Sequence, residues 1–202
     1  MSERNMKKEQ TNARKNTPQT EQKRGWKKTG GFTLLELMAV VGILGVMAAV
    51  AVPNYLAWLP KHRLNGAART LSSDLYLARM KAVSENREFT VKFDVDKNNY
   101  SIYSVGQAGE TLVKTVDIGQ MFKGTAYGYL PGKNNSGKTI TKAITFSGKP
   151  PKLSFKPSGM SNKSGSIYLM PLKNSKIALQ RAITVLITGR IRIYRRIADG
   201  WR

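Results

Sequence analysis

One carboxylate, Glu36, lies at the start of a long apolar run, where a charged side chain is unfavourable unless a partner neutralises it. No charged residue follows between Leu37 and Pro60, a span of 24 residues. As a helix this span would reach about 36 Å, against a hydrocarbon core of about 30 Å. A carboxylate in lipid costs up to about 2.5 to 3.5 kcal/mol at the bilayer centre. The chemistry predicted for Glu36 is therefore a charge pair with a cation.

A second candidate is a phosphate-binding loop, since GKNNSGKT from Gly132 to Thr139 matches G-x-x-x-x-G-K-[ST]. Such a loop needs a strand before it and a helix after it, so that backbone N–H groups hold the phosphates. The following residues, Thr139 to Phe146, are β-branched and alternating, which predicts a strand instead. We interpret the segment as a flexible basic hairpin loop and keep nucleotide hydrolysis as the weakest alternative.

The other residue types that do chemistry are scattered. The acids Asp94, Asp96, Glu110 and Asp117 fall at predicted strand ends and loops, and the single histidine, His62, has no evident base partner. The chain has no cysteine, which excludes thiol catalysis, disulfides and thiolate metal sites. The sequence predicts neither an enzyme nor a metal or cofactor site.

A basic strand near the C-terminus is a candidate nucleic-acid surface. Alternation predicts that Ile191 and Ile193 face the sheet core, with Arg190, Arg192 and Tyr194 on the other side. Guanidinium pairs bind phosphates and aromatic rings stack on bases, so the candidate DNA-binding residues are Arg190, Arg192, Tyr194, Arg195 and Arg196, with Arg202 and Trp201 beside them. Alternatively, these cations keep an edge strand from aggregating and the domain soluble.

The charge of the whole chain agrees with an anionic partner without identifying it. The net charge is +22, and residues 32–202 alone hold 25 Lys/Arg and 9 Asp/Glu, a net charge of +16. Such a balance attracts nucleic acid, anionic lipid or acidic protein surfaces, and it says nothing about fold.

The elements that position these residues begin with a polar, basic leader, residues 1–31, which is predicted to be disordered. Its cations precede the apolar run, so the positive-inside rule keeps the leader in the cytoplasm and places the C-terminal part outside. Residues 32–60 are the predicted transmembrane half of a helix, and residues 61–87 its amphipathic half. The apolar stripe of that second half is Leu64, Ala67, Ala68, Leu71, Leu75, Ala78 and Ala82.

Residues 88–202 are predicted to form a β-rich head. Phe89, Val91, Phe93 and Val95 alternate with polar residues, and a turn at residues 96–99 leads into a second strand, which predicts a hairpin. Shorter β-like runs follow at 111–117, 139–146, 152–155, 166–170, 182–188 and 190–194. The predicted fold class is α+β, with the long helix packed on a small antiparallel sheet.

The apolar run has two ordinary interpretations. A secretory signal would be cut after Ala51, at a small-residue site that Ala/Val-rich segments often contain. An ordinary helix start would use Thr33 and Glu36 as a capping box. The box accounts for a helix N-terminus, but it does not account for the two glycines before it or the lipid-length run after it.

The stretch KKTGGFTLLEL, Lys27 to Leu37, resembles the class III signal of type IV pilins and type II secretion pseudopilins. The resemblance implies that prepilin peptidase cuts after Gly31 and methylates Phe32. Glu36 becomes the fifth residue of the mature chain, where it pairs with the amine of a neighbouring subunit during assembly. Pro53 falls where the family has its helix-bending proline, and Pro60 is a second predicted kink.

The C-terminal part, from Leu153 to Ile193, resembles the end of the GspH/FimT domain of minor pseudopilins and minor pilins. The resemblance implies a pilin-like fold and a non-catalytic subunit of a type II secretion pseudopilus or a type IV pilus. Its partners would be the prepilin peptidase, other major and minor pilins or pseudopilins, and inner-membrane lipid. The alternative function is a DNA-binding minor pilin of a DNA-uptake pilus, using the C-terminal arginines.

Overall fold

The computed structural model describes residues 31–172, 179–197 and 200–202, so the predicted leader lies outside the described residues apart from Gly31. The first element is a long helix, α1, Leu34–Ser84, which ends three residues before the predicted bound at residue 87. The chain divides into two compact units, Met1–Val46 and Met47–Arg202, and α1 contributes residues to both.

The first half of α1 exposes its apolar side chains. All residues from 34 to 58 are exposed, and α1 is the one helix in the described ranges that is long and apolar enough to cross a membrane. The helical assignment continues through Pro53 and Pro60. Neither proline ends the helix, and the bend predicted at each stays a prediction.

The second half of α1 carries the predicted apolar stripe, and the structure confirms it residue by residue. All seven stripe residues have 0 or 1% of their surface exposed. They form one hydrophobic core with residues of both sheets described below. Spacings of three and four place these side chains on one face of the helix, and burial of that face holds the helix on the head.

The first sheet has four antiparallel strands in the order β3-β2-β1-β5. The predicted hairpin is confirmed, with Asp94 opposite Asn99 across its turn. Phe89, Val91 and Phe93 are buried as predicted, but Val95 is exposed because it lies in the turn beyond the strand end. The strands are β1 Glu88–Asp94, β2 Asn99–Gly106, β3 Gly109–Asp117 and β5 Lys152–Phe155.

The second sheet has five antiparallel strands in the order β4-β6-β7-β8-β9. Three predicted runs correspond to β6, β7 and β8, and their bounds differ by one to three residues. The short elements α2 Ile118–Met121, β4 and β9 were not predicted. The strands are β4 Thr125–Tyr127, β6 Gly165–Pro171, β7 Arg181–Val185, β8 Ile191–Ile197 and β9 Gly200–Trp201.

The strand predicted at Thr139–Phe146 is wrong. Ile140, Ile144 and Phe146 are buried, but the segment forms only isolated bridges, one of them between Ile144 and Ile167. Its pairing with β6 is limited to two backbone hydrogen bonds, from Thr145 N–H to the Ser166 carbonyl oxygen at 3.0 Å and from Tyr168 N–H to the Ala143 carbonyl oxygen at 2.8 Å, and the Thr145 hydroxyl oxygen accepts the backbone N–H of Ser166 at 2.7 Å. The alternation therefore reflects a loop anchored by three apolar side chains and not a strand.

A buried polar cluster that the sequence analysis missed fastens α1 to the first sheet. Asp74 is 6% exposed. Its carboxylate accepts the Tyr100 hydroxyl at 2.6 Å and the Lys114 ammonium at 2.7 and 2.8 Å. Asp74 lies three residues after Leu71, so helical spacing places it on the apolar face of α1. This position is the sequence signal that could have predicted a buried acid. The cluster joins α1 to β2 and β3.

We expect this cluster to make the head sensitive to alkaline pH. Burial, then the hydrogen bond to Asp74 and the charge of Asp74, raise the pKa of Tyr100 far above its usual range. The unfolded tyrosine ionises near pH 10 while the folded one stays neutral, so stability is full below that pH and falls above it by about 1.4 kcal/mol per pH unit. Tyr100→Phe should make this fall shallower and cost about 1 to 3 kcal/mol at neutral pH, because Asp74 loses a donor.

The measurement is the free energy of urea unfolding of the full chain in neutral detergent, followed between pH 8 and 12. Tyr103→Phe is the matched control, because it removes a hydroxyl from the same strand without touching Asp74. An alkaline slope that is equal in wild type and Tyr100→Phe would contradict this account of the cluster.

Candidate functional site

The N-terminal candidate site is exposed and lies at the start of α1. Gly31, Phe32 and Thr33 precede the helix, and the Phe32 side chain is 84% exposed. The backbone N–H of Glu36 donates to the Thr33 hydroxyl oxygen at 3.1 Å, which is half of the predicted capping box. Among the described residues the Glu36 carboxylate forms no hydrogen bond or ion pair, so it is free to take an external partner.

Aromatic side chains lie near the end of the apolar run. The rings of Trp58 and His62 stack with centroids 4.5 Å apart, and Tyr55 lies 6.4 Å from Trp58. The single histidine therefore has an aromatic neighbour and not a catalytic base. Tryptophan and tyrosine concentrate where a membrane meets water, so this cluster is suited to that boundary.

The phosphate-loop motif does not have the surroundings that nucleotide binding requires. The segment is a turn closed by a bridge between Lys133 and Thr139. The side-chain oxygen of Asn134 accepts the N–H groups of Ser136 and Lys138, each at 2.9 Å. No helix begins between residues 128 and 172, all of which the structure describes. A helix N-terminus for the phosphates is missing from this stretch, which argues against the nucleotide-hydrolysis alternative.

Strand β8 divides the predicted basic surface between two faces. Arg192, Tyr194 and Arg196 share one face, because side chains alternate along a strand. Arg195 lies on the other face, the one that carries Ile193, and not with them. Ile193 was predicted to lie in the core but is 40% exposed. Its face of the sheet opens beside α1 at this point, where Ile193 lines a groove.

Arg196 is engaged within the head and is not free to bind an external phosphate. Its guanidinium donates to the carbonyl oxygens of Leu130 and Pro131 at 2.8 Å each and to the side-chain oxygen of Gln180 at 2.9 Å. Trp201, predicted to be free for stacking, lies 5.8 Å from this guanidinium and donates its indole N–H to the carbonyl oxygen of Lys133. Both side chains hold the loop that follows β4 through hydrogen bonds to its carbonyl oxygens.

Gly189, directly before the basic strand, has a packing role. It has a φ of +77°, and a Cβ at this position would overlap the carbonyl oxygen of Gly159. That same oxygen accepts the Arg79 side chain of α1 at 2.8 Å. The turn before β8 therefore packs against a neighbouring turn and the helix, which explains the glycine at this position.

Arg190, Arg192 and Arg195 are the exposed members of the predicted nucleic-acid set, but Arg195 lies on the opposite face of β8 from Arg192. Tyr194 is half-buried and packs against the cluster of Ile140, Tyr168 and Ala182. The predicted set therefore does not form one continuous exposed surface, and DNA binding stays a prediction. Within the described residues, no group of three His, Asp or Glu is placed to hold a metal ion.

A further arginine, Arg181 at the start of β7, was missed. It is only 4% exposed and donates through Nε to the side-chain oxygen of Asn65 at 2.8 Å. The sequence could have predicted its burial. Arg181, Ile183 and Val185 alternate with Ala182 and Thr184, so the arginine occupies an inward-facing position of the strand.

A long apolar N-terminal helix whose second half packs on a small antiparallel head defines a pilin-like protein. The sequence profile described as "Type II transport protein GspH" matches residues 67–189, and that of the "Prokaryotic N-terminal methylation motif" matches residues 26–52. The chain belongs to the GspH family. This is a family of structural pilin and pseudopilin subunits, in agreement with the predicted fold and family.

Similar proteins support this assignment over parts of the chain. The type IV major pilin protein PilA of Myxococcus xanthus is 34% identical over 83 residues, 39% of this chain and 37% of that protein. The type IV major fimbrial protein FimA of Dichelobacter nodosus is 28% identical over 122 residues, 57% of this chain and 74% of FimA. The chain spans less than half the length of relatives such as PilA.

A solved structure shows the same fold at low sequence identity. The minor pseudopilin EpsH of the Vibrio cholerae type 2 secretion system superposes with a TM-score of 0.50 at 16% identity. The superposition covers 68% of this chain and 98% of EpsH. The superposition shows that the head also has the pilin-like architecture, although its sequence pattern is less regular than that of the helix.

We expect Arg196 to stabilise the head and Arg192 to contribute little. Arg196→Gln removes three hydrogen bonds, two of them to half-buried acceptors and one to the exposed Pro131 carbonyl, and should lower the free energy of unfolding by about 2 to 4 kcal/mol. Arg192→Gln makes the same charge change on an exposed position of the same strand and should stay within about 0.5 kcal/mol of wild type. Denaturant unfolding of the two variants is the measurement, and equal effects would contradict the structural role of Arg196.

Proposed function

We propose that the chain is a non-catalytic subunit of a filament of the type IV pilus or type II secretion pseudopilus kind. The observation that carries the proposal is the Glu36 carboxylate, which has no partner among the described residues at the start of a membrane-length apolar helix. The methylation motif over residues 26–52 and membership of the GspH family support it.

Processing would begin at the bond between Gly31 and Phe32. These residues precede the helix and are exposed, so a peptidase can reach the bond between them. In the proposal, prepilin peptidase hydrolyses this bond, releases residues 1–31 and methylates the new amine of Phe32. Cleavage creates a cation at the end of the helix, which is the chemistry that Glu36 requires.

In the filament the Phe32 amine of one subunit would pair with Glu36 of its neighbour. Both charges lie at the edge of apolar surroundings, where an ion pair is much stronger than in water. Because an unpaired carboxylate in lipid is costly, the pair sets the register of neighbouring helices and favours transfer of a subunit from membrane to filament. Pro53 and Pro60 would allow α1 to bend during packing.

The proposed topology is a single pass through the bacterial inner membrane. The basic leader would lie in the cytoplasm, following the positive-inside rule. Residues 32–60 would span the bilayer, with Tyr55 and Trp58 near its outer boundary, and the β-rich head would lie outside the cytoplasm. Partners would be the prepilin peptidase, other pilins or pseudopilins, and membrane lipid.

We expect Glu36→Gln to separate processing from assembly. The change keeps size and hydrogen-bonding capacity but removes the charge, so cleavage and methylation at Phe32 should continue. Incorporation into filaments in the host should fall about tenfold or more, which corresponds to a lost interaction of about 1.4 kcal/mol. Immunoblots of sheared filaments and of membranes give the two readouts.

Glu85→Gln is the control, since Glu85 is exposed just beyond α1 and pairs with Lys81. It should be processed and incorporated as wild type. Normal incorporation of Glu36→Gln would remove the assembly role of the carboxylate. Loss of cleavage in Glu36→Gln would show that the carboxylate acts in processing instead.

A further inference from the structure

A basic groove lies between α1 and the second sheet. Its volume is about 400 Å³, and four of its seven lining residues are arginines, with no acid among them. Helix α1 supplies one wall, and strands β7 and β8 supply the other together with the residue that follows β9. The lining residues are Asn65, Ala68, Arg69, Arg181, Ile193, Arg195 and Arg202.

Arg181 is buried in the wall of this groove without a carboxylate partner in the described part of the chain. Its guanidinium donates to Asn65 Oδ1 at 2.8 Å and to the Gln180 carbonyl oxygen at 3.0 Å. Both acceptors are neutral, so they satisfy hydrogen bonds but leave the charge uncompensated. Burial, and then the charge of Arg195, lower the pKa of Arg181.

Three arginines stand side by side across neighbouring strands. Arg181 lies opposite Arg195 in the β7–β8 register. Arg195 and Arg202 exchange both backbone hydrogen bonds, at 2.7 and 2.9 Å, so they too are direct neighbours. Directly opposed side chains lie close together, and like charges at such positions destabilise a sheet. A row of three cations is therefore unfavourable for an isolated head and calls for an anion.

We propose that this arginine groove binds a carboxylate side chain of a neighbouring filament subunit, an inference that rests on the proposed function. Guanidinium groups bind carboxylates through paired, charge-assisted hydrogen bonds. The apolar surface of Ile193, which is 40% exposed in the same groove, suits the methylene stem of a glutamate. The bound carboxylate would neutralise Arg181 and relieve the repulsion along the arginine row.

The neighbour is an acidic subunit and not a second copy of this chain. Residues 32–202 carry a net charge of +16, so two copies repel each other. After Asp117 the sequence has one acid, Asp199, which lies outside the described residues. The exposed Arg192 lies on the opposite face of β8 from Arg195, so it does not share one surface with the arginines of the groove, and a competing oligonucleotide distinguishes the two kinds of partner.

The first test is a binding titration of the full processed chain in neutral detergent, with a hexaglutamate peptide as the probe. Arg195→Gln and Arg69→Gln should each weaken binding at least about tenfold, equivalent to about 1.4 kcal/mol. Arg192→Gln is the matched control, with the same charge change on the opposite face of β8, and should bind within about twofold of wild type. Without peptide, Arg195→Gln should melt at a higher temperature than wild type, because it relieves the repulsion with Arg181.

Three outcomes would overturn the groove as a carboxylate site. Equal weakening by Arg192→Gln would mean diffuse attraction. Unchanged binding in Arg195→Gln and Arg69→Gln would place the peptide elsewhere. A single-stranded oligonucleotide of equal charge that depends more strongly on Arg195 than the peptide does would assign the groove to nucleic acid.

Filament incorporation in the host separates this inference from the proposed function. The expected result is normal incorporation of wild type and Arg192→Gln and a loss of about tenfold for Arg195→Gln. Equal incorporation of all three would overturn the groove inference and leave the filament role standing. Absence of wild type from filaments would overturn the filament role and the proposed neighbour together.

Discussion

Burial of one face of α1 is the interaction on which the rest of the structure depends. The stripe from Leu64 to Ala82 is almost completely buried in the shared core of the two sheets. Each buried leucine of the stripe contributes about 1.5 to 3 kcal/mol, and the Asp74 cluster adds a fixed polar contact to β2 and β3. The first half of the helix is more apolar than the second, yet its side chains are exposed. One helix therefore serves two environments, and exposed apolar surface of this extent indicates lipid or other subunits as its surroundings.

The charges without a partner also differ between the two halves of the molecule. Along the apolar half the acid at Glu36 stands without a described partner, whereas in the head a set of arginines without a described carboxylate partner lines the groove beside α1. Leaving these charges unpaired costs free energy in an isolated subunit, and a charged partner in the assembled filament can offset that cost. Arg196, in contrast, is satisfied inside the head by Leu130, Pro131 and Gln180. Position on the sheet, and not the number of arginines, separates cations that hold the fold together from cations available to a partner.

The features that were predictable from sequence are those set by local periodicity. The stripe of α1 and the β1–β2 hairpin follow from spacings of three and four and of two, and the structure confirms both. The run at 139–146 shows the limit of this reasoning, because alternating burial also arises in a loop anchored on a core. Arg196 could not be assigned from sequence, since its partners Leu130 and Pro131 lie 66 and 65 residues away. Asp74 and Arg181 were detectable as charged residues at positions that the period assigns to a buried face, but their partners were not.

If the chain follows the pilin route, cleavage after Gly31 creates the partner of Glu36 and fixes the N-terminus of the mature protein. The measurement is the N-terminal mass of the membrane-associated protein from its host, with and without the prepilin peptidase. The account predicts a chain that begins at methylated Phe32 when the peptidase is present and an uncut chain when it is absent. A chain cut after Ala51, or one left whole in both strains, would contradict it.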